Sequence, residues 1–237
     1  MPIGLLRKAA AELLGSMLLA TVVIGSGIAA ERLSTDRGLQ LLENSLATGA
    51  ALVALILALG PVSAAFNPVV TLVERFLGAV SSAEAALFIA AQVLGCCLGA
   101  LLANLMYDLP AITISTHERS GGGLWLGEVV ATFGLVLIVF GVARSGQSQR
   151  VAFAVGGYIA AAYWFTSSTS FANPAITAGR MLTNTFSGIA PGSVALFVAM
   201  QLVGGALAGL TVVALYPDPR AVARGLTEET RVTGVTP

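Results

Sequence analysis

Two Asn-Pro pairs are the residues of this chain whose types and spacing could do chemistry. They stand in Phe66-Asn67-Pro68-Val69 and in Phe171-Ala172-Asn173-Pro174-Ala175. Asparagine is a good N-cap and proline is tolerated at the first helical position, so each pair predicts the start of a short helix. A helix start presents unpaired N–H groups and about +0.5 of an elementary charge. Each pair can therefore repel cations and donate hydrogen bonds to oxygen atoms.

The composition places these two pairs in a membrane. Of the 237 residues, 56% are hydrophobic and 10% are charged, and the mean hydropathy is +0.87. An ordinary soluble domain has roughly 25% charged residues. The formal net charge of zero argues against a nucleic-acid partner. The single histidine, His117, lies in a polar loop and cannot supply a metal cluster, so neither a metal nor a cofactor is predicted.

Six apolar segments approach the roughly 20 residues that a helix needs to cross a bilayer. They cover residues 9–30, 44–60, 85–107, 124–143, 151–165 and 194–216. The Asn-Pro segments, at residues 67–77 and 173–184, are too short and too polar to span alone. Backbone at membrane depth must be buried in protein or line a water-filled cavity, so both are predicted to be re-entrant half-helices. The predicted fold class is an all-α membrane protein with six transmembrane helices and two half-helices.

The chain repeats one pattern in its two halves. Residues 86–95 closely match residues 195–204, and each Asn-Pro motif precedes the matching span. Three spans per copy insert the second copy upside down, so the half-helices enter from opposite faces and their starts meet near the midplane. The predicted units are the first repeat over 1–110, the second repeat over 111–218, and a cytoplasmic tail over 219–237.

Glu12 on the first span corresponds to Glu128 on the fourth. An ionisable side chain at membrane depth is costly and needs partners. We expect both carboxylates to accept hydrogen bonds from the irregular backbone before each half-helix; a charge near a span end is the alternative.

The distribution of lysine and arginine predicts the orientation. With both termini inside, eight of these residues are cytoplasmic and four, Arg32, Arg37, Arg119 and Arg180, lie outside. The excess inside follows the positive-inside rule. The chain is expected to be a multi-pass protein of the inner (plasma) membrane with both termini in the cytoplasm.

Two facing helix starts would form a positive barrier in the middle of a pathway, which repels cations and protons but not neutral molecules. The side-chain amides of Asn67 and Asn173 can donate to a passing oxygen, and the carbonyls before them can accept. A lumen for neutral hydroxylated solutes is therefore predicted. Inverted repeats with broken helices also build secondary transporters, which is the alternative. No nucleophile–base cluster is evident in the sequence, so an enzyme is not predicted.

From Glu12 to about Pro217 the chain resembles the aquaporin and aquaglyceroporin family of major intrinsic proteins. The likeness rests on Asn67-Pro68-Val69, Asn173-Pro174-Ala175, the two glutamates and Ala91-Gln92-x-x-Gly95. It implies the hourglass fold, passive permeation and a homotetramer with one pore per subunit.

The same resemblance implies an outer selectivity filter made of Ala47, Ala161, Ser170 and Ile176. Most family members have arginine at the last position and an aromatic residue or histidine at another, so this filter is expected to be wide and arginine-less. Arg180, one helical turn after Ile176, is expected at the outer mouth or as a lipid or loop contact.

The expected solutes are glycerol, urea-like solutes, water and metalloid hydroxides such as undissociated arsenite. The metalloid expectation follows from the resemblance, because the pattern without the filter arginine looks like that of aquaporins associated with arsenic resistance in soil bacteria. A water-selective aquaporin is the alternative.

Overall fold

The chain folds into long apolar helices that surround two short ones. The computed structural model describes residues 4–144 and 150–216. The long helices of this part are α1 (Leu5–Leu33), α2 (Arg37–Leu59), α4 (Ser82–Met106), α5 (Gly122–Arg144), α6 (Val151–Phe165) and α8 (Pro191–Leu215). The short ones are α3 (Pro68–Phe76) and α7 (Pro174–Gly179), and a 3₁₀ turn over Arg180–Leu182 continues α7. The predicted all-α class, with six spans and two half-helices, is confirmed.

Five of the long helices are long and apolar enough to cross a bilayer, and the sixth, α6, has 15 residues. At 1.5 Å per residue α6 is about 22 Å long. Helices α1 and α2 begin before the apolar segments that predicted them, at Leu5 and Arg37. Asp36 caps α2 by accepting a hydrogen bond from the Leu39 N–H at 2.9 Å. The polar first turns of these helices were missed in the sequence analysis, because a search for apolar residues finds only the apolar part of a helix.

The contacts between helices have an approximate two-fold pattern. Helix α1 packs on α2 and α4, as α5 packs on α6 and α8 in the second half, and α2 meets α6. Each half-helix also crosses over: α3 packs on α8, and α7 packs on α4. The two halves are therefore interlocked in space. The unit boundaries stay a prediction, and the tail over 219–237 lies outside the described residues.

Glycines permit the closest helix crossings. A Cβ at Gly99 of α4 would lie 2.9 Å from the Cβ of Ala20 and would also press on the Met17 carbonyl of α1. Gly95 of α4 lies against the Leu13 carbonyl of α1, and its repeat counterpart, Gly204 of α8, lies against the Val129 carbonyl of α5. The backbones come this close because none of these glycines has a side chain.

The loop between the two halves packs on the turn that follows α7. The Thr113 N–H donates to the Leu182 carbonyl at 3.0 Å, and the Ser115 N–H donates to the Met181 carbonyl at 2.9 Å. The Ala190 N–H donates back to the His117 carbonyl at 2.8 Å. These bonds hold residues 113–119 beside the far end of the second half-helix.

Gly99→Ala is expected to lower the free energy of unfolding by about 1–3 kcal/mol, because the added methyl overpacks the α1–α4 crossing. Thermal unfolding of the detergent-solubilised protein measures this change. Gly157→Ala is the matched control, since a Cβ at Gly157 of α6 meets no atom within 4 Å. Equal melting temperatures for the two variants would contradict the close crossing.

Candidate functional site

The starts of α3 and α7 are capped by their own asparagines. The Asn67 side-chain oxygen accepts from the Val69 N–H at 2.9 Å. The Asn173 oxygen accepts from the N–H groups of Ala175 at 2.9 Å and Ile176 at 3.2 Å. Proline at the first helical position removes a donor that would have no partner. Each Asn-Pro pair thus begins a helix, as its residue types predict.

The two starts are joined by a reciprocal pair of hydrogen bonds. The Asn67 amide nitrogen donates to the Ala172 carbonyl, and the Asn173 amide nitrogen donates to the Phe66 carbonyl, both at 2.7 Å. Phe66 and Ala172 both have a φ of 48°, in the left-handed region. Each asparagine uses one amide hydrogen in this pair, and the second is available to the cavity that both residues line.

Glu12 holds the backbone before the first half-helix. Its Oε1 accepts from the Ser63 hydroxyl at 2.5 Å and the Ala65 N–H at 2.9 Å. Its Oε2 accepts from the Phe66 N–H at 2.7 Å and the Gln92 amide at 2.8 Å. A side chain that is 0% exposed and accepts four hydrogen bonds is a structural anchor rather than a charge at a span end.

Glu128 does the same before the second half-helix. It accepts from the N–H groups of Phe171 and Ala172, both at 2.9 Å, and from the Gln201 amide at 2.6 Å. Gln201 also donates to the Thr177 hydroxyl on α7 at 2.9 Å, as Gln92 donates to Thr71 on α3. Charged acceptors make strong hydrogen bonds, so the two carboxylates fix the left-handed residues in place.

The lumen, as we call the central cavity, has a volume of about 690 Å³. Asn67 and Asn173 supply polar atoms in its wall, and apolar side chains make up much of the rest, among them Leu52, Val70, Leu135, Val139 and Ile159. One end is bordered by Lys8 and Glu74 and the other by Tyr163 and Arg180. A mostly apolar wall with a few placed donors suits small solutes that carry both C–H and O–H surface.

Only part of the predicted filter lies on the lumen. Ser170 and Ile176 line it, and their role in selection stays a prediction. Ala47, which is half-buried, and Ala161, which is exposed, are not among the residues that line it. Their part in solute selection stays a prediction. Helices α2 and α6 instead turn Thr48 and Tyr163 toward the lumen.

Thr48 and Tyr163 form a polar contact in the lumen wall. Their hydroxyl oxygens are 3.2 Å apart, and the two side chains are 2% and 3% exposed. A side-chain hydroxyl within an apolar span needs a partner or water, and that requirement is the sequence signal that could have identified them. Thr48 follows the predicted filter position Ala47 by one residue, and Tyr163 follows Ala161 by two.

Arg180 is buried at the end of the lumen. Its side chain is 3% exposed, which rules out contact with lipid headgroups. The guanidinium carbon lies 3.4 Å from the ring centroid of Phe171, and Nε donates to the Ser187 carbonyl. Arg180 therefore packs on the loop after α7 and faces the lumen at the same time.

A second cavity of about 470 Å³, here called the vestibule, adjoins the lumen at Arg180. Its charged lining residues are Arg37, Glu118, Arg119 and Arg180, and His117 also lines it. Burial lowers the pKa of the Arg119 guanidinium, while the Glu128 carboxylate acts in the opposite direction. Arginine stays protonated at neutral pH, so the vestibule is positively charged.

The comparisons with known proteins point to one family. The sequence profile described as major intrinsic protein matches residues 2–166. The chain is 45% identical over 227 residues to the aquaglyceroporin AqpS of Rhizobium meliloti (strain 1021), which covers 95% of this chain and 97% of that protein.

Two further proteins are similar to this chain, one in sequence and one in fold. The glycerol uptake facilitator protein of Bacillus subtilis (strain 168) is 28% identical over 196 residues, covering 74% of this chain and 70% of its own length. The X-ray structure of the aquaglyceroporin from Plasmodium falciparum is similar in fold, with a TM-score of 0.74 at 17% identity, over 92% of this chain and all of that one.

Glu128→Ala is expected to destabilise the protein by about 1–3 kcal/mol for each of the two backbone N–H groups that lose their acceptor. Thermal unfolding in detergent measures the loss. Glu118→Ala removes an exposed carboxylate and is the control. If both variants melt with the wild type, Glu128 does not hold the second half-helix.

Proposed function

Because the chain belongs to the major intrinsic protein family, whose members are passive channels rather than enzymes, we propose that its lumen conducts glycerol, urea-like solutes, water and undissociated metalloid hydroxides. The protein is an integral multi-pass membrane protein and a channel for small neutral solutes. The choice among those solutes is our proposal. It follows from the groups that line the lumen and from the residue at position 176.

The reciprocal bonding of Asn67 and Asn173 carries the proposal. It holds both half-helix starts together, so their positive ends face one another across the lumen. A cation meets two like-signed ends in a wall of low polarity, whereas a neutral solute can accept the remaining amide hydrogen of each asparagine. The pathway should therefore discriminate by charge at its middle.

Discrimination by size belongs to the end of the lumen where Ile176 and Ser170 lie. Isoleucine at position 176 presents carbon where an arginine would present five N–H donors. The Tyr163 hydroxyl is already paired with the Thr48 hydroxyl, so the rest of its contribution to the lumen wall is aromatic carbon. Such a wall accommodates the carbon side of a polyol better than a bare water molecule.

Undissociated arsenite belongs with glycerol on chemical grounds. Both carry three hydroxyl groups, both are uncharged, and both exceed water in size. A lumen that passes glycerol by hydrogen bonds to Asn67 and Asn173 has no chemical means of rejecting the metalloid hydroxide. This extension rests on the resemblance in sequence pattern and on that shared chemistry.

We further propose the assembly and placement that the family implies. The protein would be a homotetramer in the plasma membrane, with one lumen per subunit and both termini in the cytoplasm. Exposed leucines along the outer faces of α1, α4 and α8 suit contact with lipid or with a second copy. In this orientation the vestibule opens to the outside.

Proteoliposomes that contain the protein are expected to take up glycerol and arsenite, at a rate that neither a proton gradient nor a sodium gradient changes. Stopped-flow light scattering measures glycerol and water, and trapped arsenic measures arsenite. Rapid water flux without either larger solute would mean a water-selective pore. Uptake that follows an ion gradient would mean a secondary transporter.

Ile176→Arg is expected to reduce glycerol and arsenite permeability more than water permeability, because a guanidinium narrows the lumen and donates to water. The matched control is Ile112→Arg, because Ile112 is exposed in a loop and an arginine fits there without disturbing the core. Equal reduction for every solute would remove Ile176 from the filter.

A further inference from the structure

Arg180 lies where the two cavities meet. Among the residues that the structure describes, it alone lines both the lumen and the vestibule. Its side chain is nevertheless 3% exposed, so it fills the space between the cavities rather than extending into one of them. A solute that passes from vestibule to lumen has to pass the Arg180 guanidinium.

The direction of α7 explains how a residue one turn beyond Ile176 reaches this place. Side chains on a helix point back toward its N-terminus, so Arg180 returns over the turn that carries Ile176. Its guanidinium lies over the ring of Phe171, two residues before Asn173, with the carbon 3.4 Å from the ring centroid. The positive charge of Arg180 therefore lies nearer to the start of α7 than its position in the sequence suggests.

Phe171 is itself held rigidly. Its ring packs edge-on against Phe197 of α8, with centroids 5.2 Å apart and an interplanar angle of 71°. Its N–H donates to Glu128 at 2.9 Å. The Ser187 carbonyl accepts from Arg180 Nε, which orients the guanidinium from the other side. Arg180 is thus placed by groups that do not depend on a solute.

A second guanidinium adds to the positive charge. Arg119 lies over the same Phe171 ring at 4.9 Å and donates to the carbonyls of Gly188 at 2.9 Å and Phe186 at 3.4 Å. Within residues 4–144 and 150–216, no carboxylate lies within ion-pairing distance of Arg119 or Arg180. The ion pair found in this part of the chain joins Lys8 and Glu84, away from the junction. The charge at the junction is not neutralised by an ion pair.

Donors also remain free at the junction. Neither terminal nitrogen of Arg180 donates a hydrogen bond to any residue of the described chain. These N–H groups can bind a hydroxyl oxygen of a solute while Ile176, one turn along, contacts its carbon atoms. One polar and one apolar wall match the two sides of a polyol.

We propose that Arg180 is the specificity-determining cation of this channel, displaced by one turn from position 176. It narrows the passage between vestibule and lumen, donates to solute oxygens there and repels cations before they reach the asparagines. The inference rests on the proposed channel function and deepens it. Position 176 has no arginine, but Arg180 supplies one to the passage between the vestibule and the lumen.

The variants Arg180→Gln, Arg180→Lys and the double variant Arg180→Gln with Ile176→Arg test this assignment. Arg32→Gln is the matched control, because Arg32 also stacks on an aromatic ring, 5.0 Å from the Tyr107 centroid, and donates to the Tyr107 carbonyl, but lines neither cavity. Potassium conductance is measured in planar bilayers. Water, glycerol and erythritol permeability are measured in proteoliposomes.

Arg180→Gln is expected to raise potassium conductance about tenfold, which corresponds to about 1.4 kcal/mol, and to raise the erythritol-to-water ratio severalfold. Arg180→Lys keeps the charge, so ion exclusion should stay at the wild-type level, while the loss of the planar stacked fork should change the erythritol-to-water ratio. In the double variant the arginine at 176 should restore ion exclusion. Arg32→Gln should change neither quantity.

A merely structural Arg180 predicts different results. Arg180→Gln would then lower the permeability of every solute in proportion and leave potassium conductance unchanged, which overturns the proposal. If Arg180→Gln does not fold, Arg180→Lys decides: an unchanged erythritol-to-water ratio sinks the assignment. Wild-type protein that passes no glycerol contradicts the proposed solutes, while the potassium and water measurements still test Arg180.

Discussion

Unpaired backbone at membrane depth is the constraint on which this structure depends. Two helix starts and the irregular residues before them lie inside the bundle, where an unsatisfied N–H group costs several kcal/mol. Glu12 and Glu128 meet that requirement by accepting from the backbone N–H groups that precede each half-helix. The cost of burying the two carboxylates is offset because each accepts hydrogen bonds from backbone N–H groups that would otherwise have no partner.

The bonds that satisfy the backbone also limit what the lumen offers to a solute. Each asparagine uses its oxygen to cap its own helix and one amide hydrogen to reach the opposite carbonyl. One amide hydrogen per asparagine is left, so a passing oxygen meets two donors at the middle. The carbonyls of Phe66 and Ala172 are partly occupied by the reciprocal pair. Stability and conduction therefore use different atoms of the same two residues.

The hydrogen-bond network is approximately two-fold symmetric, but the ionisable residues at its two ends differ. Glu74 of α3 and Arg180 of the 3₁₀ turn after α7 occupy equivalent places, seven residues after their asparagines, and both line the lumen. One end of the pathway thus has a glutamate and Lys8 in its wall, and the other has a guanidinium beside Arg119. Internal duplication explains the shared framework, whereas the selectivity that we propose for Arg180 depends on a position where the copies differ.

The sequence by itself determined the class, the spans and the pair of half-helices, because apolar length, helix-start residues and repetition are local properties. It also indicated that Glu12 and Glu128 need backbone partners, since a buried charge without them is too costly. Which helix face meets the lumen was decided only by the tertiary structure. A rotation of one residue on α2 or two on α6 exchanges Ala47 for Thr48 and Ala161 for Tyr163, and it depends on packing against distant helices. The position of the Arg180 side chain was likewise decided by the tertiary structure, through its contacts with the Phe171 ring and the Ser187 carbonyl.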